Sequence, residues 1–199
     1  MRGEPIHPVA GTAIGAPIAA WPCQAAFSFA LAMAKNYWLM KSEPDECSID
    51  DLLASPRQTV PWTGVRNYQA RNFMRDAMQP GDGVLFYHSS CEQPGIAGIA
   101  RVASQAYPDA TQFDRRSKYF DAAATAEHPR WVHVDVQGLR KVELIPLAAL
   151  RARPELADLA ILRRGNRLSI TPVTAAQWKF ITTVLARPAG APGRERRWN

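Results

Sequence analysis

Two neighbouring segments constrain the fold of this chain most strongly. In residues 37–44 (YWLMKSEP), an apolar run ends in Lys41, Ser42 and a proline. In residues 61–72 (PWTGVRNYQARN), Trp62 precedes a run that is rich in Arg and Asn. A strand that ends in Lys and Ser, near a tryptophan and an Arg/Asn-rich helix start, predicts a pocket for a flat, polar or anionic ligand.

Length and composition predict one folded domain with an extension at each end. The chain has 199 residues, enough for one buried core, which we place at residues 35–187. Residues 1–34 are interpreted as a disordered extension or as the product of a misassigned start, with Met33 as the true start codon. A secretory signal is disfavoured because Pro17 and Pro22 would interrupt its helix. Residues 188–199 are predicted to be a flexible basic tail.

Charge and cysteine content indicate the kind of partner and the compartment. The net charge of +6 and a sequence pI near 9.5 make a polyanion a plausible partner, because Lys and Arg neutralise phosphates. The apolar run in the extension is too short and too broken to span a membrane, so no membrane partner is predicted. Three widely separated cysteines fit no disulfide framework and favour a reducing, cytoplasmic location.

Motifs for catalysis are missing from the sequence. No phosphate loop, nucleophile elbow or dinucleotide fingerprint occurs, and residues 80–83 (PGDG) are better explained as a turn. The four histidines have no ligand spacing to each other or to a cysteine. We therefore predict no cofactor, no metal site and no enzymatic activity.

Hydrophobic patterns predict short strands interrupted by helices. Strand character occurs in residues 37–41, 84–88, 96–102, 131–136, 142–145 and 167–173. Two helices are predicted over residues 70–78 and 147–153, and a third begins at a Ser48/Asp51 capping box. The last helix begins at a Thr174/Gln177 capping box, and its predicted buried stripe is Trp178, Ile181, Val184 and Leu185. In residues 131–136 the valines share one face and Trp131, His133 and Asp135 the other. Without regular parallel crossovers, this order predicts an α+β fold with a curved or barrel-like sheet.

Several residues have both a binding and a structural interpretation. Trp62 either stacks on a base or plugs the core. Arg66 and Arg71 flank a helix start whose amides favour an anion, or they belong to a solvated face. The aromatic and basic residues of 113–120 form either a backbone-binding loop or a surface loop that its aromatics hold in place.

The motifs together resemble the EVE domain, a family of the PUA-like superfamily. The resemblance extends from about residue 36 to residue 185. Five motifs occur in order: YWLMKSEP, WTGVRNYQARN, GDGVLFYHS, PRWVHVDV and RLSITPV. The resemblance implies a PUA-like curved β-barrel with surrounding helices. It also implies a pocket that binds a modified base in DNA or RNA, as in the similar YTH domains.

The resemblance also assigns roles to residues. Lys41 and Ser42 would border the pocket, Trp62 would stack on the base, Asn67 could bond its polar edge, and Ser169 could line the floor. The implied base-binding set is Lys41, Ser42, Trp62, Asn67, Tyr68, Phe86, Tyr87, His88, Ser89 and Ser169. The implied contacts to the nucleic-acid backbone are Arg66, Arg71, Arg115, Arg116 and Lys118.

The sequence thus predicts a non-enzymatic domain that recognises modified cytosine or methylated adenine. Two alternatives stay open: a PUA-like RNA-binding accessory protein, and a sensor or enzyme that acts on a nucleotide-like small molecule in the same pocket. The choice between DNA and RNA and the oligomeric state also stay open.

Overall fold

A computed structural model describes residues 35–189, so the predictions for residues 1–34 and 190–199 lie outside the described residues. The strands are β1 (Tyr37–Ser42), β2 (Thr59–Pro61), β3 (Gly83–His88), β4 (Gly95–Val102), β5 (Tyr107–Pro108), β6 (Val132–His133), β7 (Asp135–Pro146) and β8 (Ile170–Val173). The α-helices are α1 (Ile49–Ala54), α2 (Tyr68–Asn72), α3 (Leu147–Arg151) and α4 (Ala175–Phe180). Single π-helical turns, Phe73–Ala77 and Ile181–Leu185, extend α2 and α4. Short 3₁₀ turns are Pro56–Gln58, Ala110–Gln112, Pro154–Leu156 and Ala160–Leu162.

Six strands form one mixed sheet in the order β2-β7-β4-β3-β1-β8. β1 and β3 are parallel, with Ser42 opposite His88, whereas the other pairs are antiparallel. Parallel strands end at the same edge of a sheet, and the Ser89 amide donates to the Ser42 carbonyl at 2.9 Å. On the other side of β1, the Lys41 amide donates to the Ser169 carbonyl at 2.8 Å. This pairing gathers Lys41, Ser42, Ser89 and Ser169 at one end of the sheet.

Both faces of this sheet are covered by apolar groups. Alternate residues of a strand point to opposite faces, so Met40 joins one cluster with Trp62 and Met74, and Leu39 joins another with Ile181. The first cluster includes residues of α1 and α2, and the second includes residues of α3 and the α4 extension. A mixed sheet with helices on its faces confirms the predicted α+β class.

The capping boxes are confirmed at both predicted helix starts. The side chains of Ser48 and Thr174 accept from the amides of Asp51 and Gln177, and the side chains of Asp51 and Gln177 accept in return. These reciprocal bonds satisfy amides that a helix start otherwise leaves without partners. They fix where α1 and α4 begin.

The strand predicted over residues 131–136 is interrupted. β6 pairs with β5 in a separate two-stranded sheet, and β7 begins after Val134. Trp131 and His133 are buried like Val134, so the segment has no solvent face. The predicted strand is therefore divided between two sheets, and residues of loop 107–121 pack on Trp131 and His133.

The predicted buried stripe of the last helix is wrong at Val184, whose exposed fraction is 47%. Residues 181–185 form a π-helical turn, which has more residues per turn than an α-helix. Leu185 therefore returns above Ile181 and is buried, while Val184 turns outward.

Arg187 and Pro188, at the predicted domain boundary, both contact β7. Pro188 forms an isolated bridge with Val142, and the Arg187 carbonyl accepts from the Glu143 amide at 2.9 Å. Cys47 and Cys91 are free thiols. No helix in the described part of the chain is long and apolar enough to cross a membrane.

The Asp82 carboxylate holds the start of the sheet together. It is 4% exposed and accepts from the Trp38 indole N–H at 3.0 Å and from the amides of Asn36 and Gln79 at 3.1 Å. These bonds join the turn before β3 to the beginning of β1. The turn that residues 80–83 predicted is therefore a structural junction.

We expect Asp82→Ala to lower the free energy of unfolding by about 3 kcal/mol, because several donors lose their acceptor at once. Urea denaturation followed by circular dichroism would measure this loss. Asp50→Ala is the matched control, since its carboxylate is exposed and binds only Lys141. Equal losses in the two variants would contradict this role of Asp82.

Candidate functional site

A cleft with two adjoining lobes opens at the end of the sheet where Lys41 and Ser42 lie. The first lobe has a volume of about 590 Å³ and the second about 430 Å³. Both lobes are lined by Lys41, Glu46, Trp62, Thr63 and Tyr119. The first also contains Ser42, Cys47, Asp51, Val60 and Pro61, and the second Glu43, Gly64, Val65, Arg66, Ser89, Ser90, Arg167 and Ser169.

Trp62 lies between the cleft and the core. Its exposed fraction is 8%, and its ring meets the Phe86 ring edge-on with 5.6 Å between the centroids. The Trp62 amide donates to the Val134 carbonyl at 2.9 Å. Because Trp62 also lines both lobes, the structural and the cleft-lining interpretation of this residue both apply.

Lys41 and Ser42 stand at the mouth of the cleft as polar groups. The Lys41 ammonium donates to the Asn166 carbonyl at 3.4 Å, and partial burial lowers the pKa of this lysine. The Ser42 hydroxyl donates to the Cys47 carbonyl at 2.7 Å. Lys41 can therefore offer further N–H donors to a ligand, whereas the Ser42 oxygen is left chiefly as an acceptor.

The buried Asp109 carboxylate joins two segments next to the cleft, the one that follows Trp62 and the one that contains Thr111. One of its oxygens accepts from the Gly64 amide at 2.9 Å and from Arg66 at 2.8 Å. The other accepts from the Thr111 amide at 2.9 Å and hydroxyl at 2.6 Å. Burial alone would raise the pKa of Asp109, but the bonds from Arg66, Thr111 and Gly64 outweigh burial and lower it.

The donors of the Arg66 guanidinium are all hydrogen-bonded within the protein. Besides Asp109, its guanidinium donates to the Tyr119 carbonyl at 2.8 and 2.6 Å and to the Thr111 hydroxyl at 2.9 Å. Every guanidinium nitrogen of Arg66 already has a partner within the protein, so the contact with a phosphate backbone stays a prediction that would need these bonds to be shared. Arg66 instead ties the segment of Trp62 to the segment of Tyr119.

Tyr119 covers the cleft from the side of loop 107–121. A Cβ at Gly64 would lie 2.6 Å from the Tyr119 ring, so a glycine is needed for this close approach. Gly64 also has φ +83°, a conformation that glycine adopts without strain. The Tyr119 hydroxyl donates to the Glu46 carboxylate at 3.1 Å, across the cleft mouth.

Three predicted residues of the Arg/Asn-rich helix lie outside the cleft lining. Asn67 caps α2, its side-chain oxygen accepting from two amides at 2.9 and 3.1 Å. Tyr68 stacks on Trp131 with 4.9 Å between centroids, and Arg71 lies 4.8 Å from the centre of the Tyr68 ring. Because Asn67 already occupies the first amides, the prediction of an anion at this helix start is not supported.

Most of the predicted wall of residues 86–89 lies outside the cleft lining. Phe86 is fully buried beneath Trp62, and Tyr87 packs on the opposite face of the sheet. His88 accepts from the Ile49 amide at 3.1 Å, and burial lowers its pKa. Alternation along β3 turns these side chains into the core or toward α1, so only Ser89 of this segment lines the cleft.

The predicted backbone-binding loop has a mixed outcome. Lys118 forms an ion pair with Glu46, and its hydrogen bond is the main cause of the lowered pKa of that carboxylate. Arg115 and Arg116 are exposed, and Arg116 lies 3.5 Å from Asp114. The charge of Lys118 is thus neutralised at the cleft, while Arg115 and Arg116 point to solvent.

Sequence reasoning missed Glu46, Tyr119, Asp109 and Arg167. Asp109 and Thr111 have the spacing of an Asx turn, which is the one local signal available. The partners Gly64 and Arg66 lie 45 and 43 positions from Asp109, too far apart for any local pattern to reveal. Within residues 35–189, no group of three or more His, Cys, Asp or Glu side chains could hold a metal ion.

Comparison with known proteins now decides the family. A family model described as "EVE domain" matches residues 36–184. The chain belongs to the EVE domain family. The predicted resemblance is therefore confirmed over the whole of the sheet and its helices.

Curated and solved EVE relatives are similar over most of their length. Thymocyte nuclear protein 1 of Homo sapiens is 41% identical over 167 residues, which cover 75% of this chain and 73% of the relative. A solved protein from Pseudomonas putida is 50% identical with a TM-score of 0.70, covering 73% of this chain and 97% of that one. Human THYN1 protein, solved in complex with 5-methylcytosine-containing DNA, is 42% identical with a TM-score of 0.70, covering 74% and 95%.

We expect Asp109→Asn to lower the free energy of unfolding at pH 7 by about 3–5 kcal/mol, because Arg66 loses a buried carboxylate partner. The lowered pKa of Asp109 means that its charge stabilises the folded state above the unfolded pKa of about 3.9. This contribution is lost as the pH falls through the folded pKa. The difference between wild type and variant should therefore shrink below about pH 4.

Urea denaturation at a series of pH values measures that difference. The matched control is Asp114→Asn, whose carboxylate lies in an exposed pair with Arg116 and should change stability by less than about 1 kcal/mol. A constant difference across the acid range would contradict the assigned role of the Asp109 charge.

Proposed function

We propose that this EVE domain is a non-catalytic reader that binds 5-methylcytosine in DNA, with the modified base inserted between Trp62 and Tyr119. The observation that carries the proposal is the cleft itself, in which two aromatic side chains and the Lys41 cation line the same two lobes. The complex of human THYN1 protein with 5-methylcytosine-containing DNA supports the choice of base and of nucleic acid.

The dimensions and the aromatic lining suit a base. A volume of about 590 Å³ for the larger lobe lies within the range of about 300–1,000 Å³ typical of small-ligand pockets. Stacking of a base on an aromatic side chain contributes about 1–3 kcal/mol. A methyl group on the base adds apolar area that an aromatic wall can bury.

The polar groups of the cleft can read the edge of the base. A carboxylate is the usual acceptor for the N4 amino group of cytosine, and Glu46 lines both lobes. Lys41 supplies a donor in the same space for an acceptor on the ring. A thymine in this position would present a carbonyl where cytosine presents its amino group.

The ionisable groups of the cleft favour binding over catalysis. Glu46 is engaged by Lys118, and the Asp51 carboxylate accepts from the Ser48 amide and hydroxyl. Burial, with a smaller effect of Asp51, raises the pKa of Cys47, which keeps this thiol protonated and weakly nucleophilic. Glu46 and Asp51 are thus held in place by hydrogen bonds, and Cys47 is a weak nucleophile.

Fluorescence anisotropy tests the proposal with oligonucleotides that carry 5-methylcytosine, 5-hydroxymethylcytosine, N6-methyladenine or no modification. We expect the tightest binding to the 5-methylcytosine DNA strand. Flipping a base out of a duplex costs a few kcal/mol, so mismatched or single-stranded sites should bind more tightly than a perfect duplex. Equal affinity for all strands, abolished by salt, would overturn the reader function.

The same titrations separate two other functions that the cleft could serve. Tight binding of a mononucleoside, with no gain on lengthening the strand, would replace the reader with a small-molecule sensor or enzyme. A preference for structured RNA over DNA would replace it with an RNA-binding accessory role.

We expect Trp62→Ala to weaken binding of the modified strand by about 1–3 kcal/mol, or 5- to 150-fold, because the stacking wall is lost. Trp62→Phe, which keeps a ring, should retain most of the affinity. Trp178→Ala is the matched control, since Trp178 stacks on Tyr37 away from the cleft, with 4.6 Å between centroids. Thermal melts of each variant check that the fold survives, because Trp62 also packs on Phe86.

A further inference from the structure

Residues 163–167 (RRGNR) form a basic loop beside the second lobe of the cleft. Arg163, Arg164 and Arg167 are exposed. The sequence contains no Asp or Glu from residue 159 to residue 194. The loop therefore concentrates positive charge in a segment without acidic residues, and no predicted site residue belongs to it.

The backbone of this loop is fixed by its own hydrogen bonds. The Asn166 amide donates to the Arg163 carbonyl at 3.3 Å, which closes a turn, and Gly165 within it has φ +79°. The Asn166 side chain donates to the Ala160 carbonyl at 2.6 Å and accepts from the Leu168 amide at 3.0 Å. The three arginines thus belong to a turn whose backbone is fixed by hydrogen bonds.

The loop is attached directly to the cleft. The Asn166 carbonyl accepts from the Lys41 ammonium at 3.4 Å, and Arg167 and Ser169 line the second lobe. A Cβ at Gly165 would meet nothing within 4 Å, so the space in front of the turn is open. A nucleic-acid strand that lies across this turn would have its sugar-phosphate backbone at the arginines and one of its bases at the cleft.

Two other cations at or near the cleft, Arg66 and Lys118, are already paired within the protein. Arg66 is bound to Asp109 and to the Tyr119 carbonyl, and Lys118 to Glu46. Among the ion pairs of residues 35–189, none includes Arg163, Arg164 or Arg167. Guanidinium groups that are exposed and have no carboxylate partner are the ones available for phosphate oxygens.

We propose that the loop of residues 163–167 binds the sugar-phosphate backbone of the strand whose base enters the cleft. The inference rests on the proposed function and adds to it the element that positions the strand. Phosphate contacts set the register of a nucleic acid but carry no base information. The loop therefore governs how tightly any strand binds, while Trp62, Tyr119 and Glu46 govern which base is preferred.

The test compares two triple variants that remove the same charge. One is Arg163→Gln/Arg164→Gln/Arg167→Gln, and the control is Arg75→Gln/Arg101→Gln/Lys179→Gln, exposed cations that do not line the cleft. The dissociation constant of a single-stranded 5-methylcytosine oligonucleotide and of its unmodified counterpart is measured from low to high salt. Each phosphate contact contributes about 0.7 to the salt slope for single strands.

We expect the loop variant to reduce that slope by about 2, for three lost contacts, and to weaken both oligonucleotides by the same factor. Its ratio of modified to unmodified affinity should equal the wild-type ratio, and the control should keep the wild-type slope. An unchanged slope in the loop variant, or an equal loss in both variants, would overturn the loop as the backbone site. A wild-type protein without any preference for the modified oligonucleotide would overturn the proposed function. A salt slope that is reduced only in the loop variant would still assign the backbone contact to this loop.

Discussion

The buried carboxylate of Asp109 is the interaction on which the cleft depends. Its two oxygens hold the segment after Trp62, through Gly64 and Arg66, against the loop that carries Thr111. Arg66 also donates to the Tyr119 carbonyl, and this bond helps to position the Tyr119 ring at the cleft. A buried ion pair of this kind stabilises little relative to an apolar pair, but it allows one arrangement of the two loops and disfavours others. The geometry of the cleft thus rests on a carboxylate that is itself fully buried.

Much of the fold followed from local patterns. The strands predicted at residues 37–41 and 84–88, the PGDG turn and both capping boxes are encoded by neighbouring residues. All of them are confirmed, each strand being longer than predicted by one residue. The errors arose where distant chain segments decide the outcome. The strand predicted over residues 131–136 is divided because β6 pairs with β5, and Val184 is exposed because a π-helical turn changes the periodicity. Neither effect leaves a signature in a window of a few residues.

The candidate site was predictable in part for the same reason. Lys41, Ser42, Trp62, Ser89 and Ser169 line the cleft, since they lie at strand ends or in a loop that the sheet topology brings together. The arginines could not be sorted from sequence. Arg66 and Arg167 each lie near an apolar segment, yet one is bound to Asp109 and the other faces an open lobe. Only the positions of carboxylates far along the chain distinguish an arginine that holds the fold from one that can hold a phosphate.

The bond between Lys41 and Asn166 joins positions 125 residues apart. Lys41 belongs to the first strand of the sheet, and Asn166 to the segment that leads into the last. During synthesis on the ribosome, the tryptophan side of the cleft is therefore complete long before its basic side emerges. A nascent chain would carry Trp62 before Arg167 and Ser169 are made, and the cleft gains its full lining only when the segment of Ser169 pairs with the first strand. Completion of the cleft is thus coupled to closure of the sheet, in which the last strand pairs with the first.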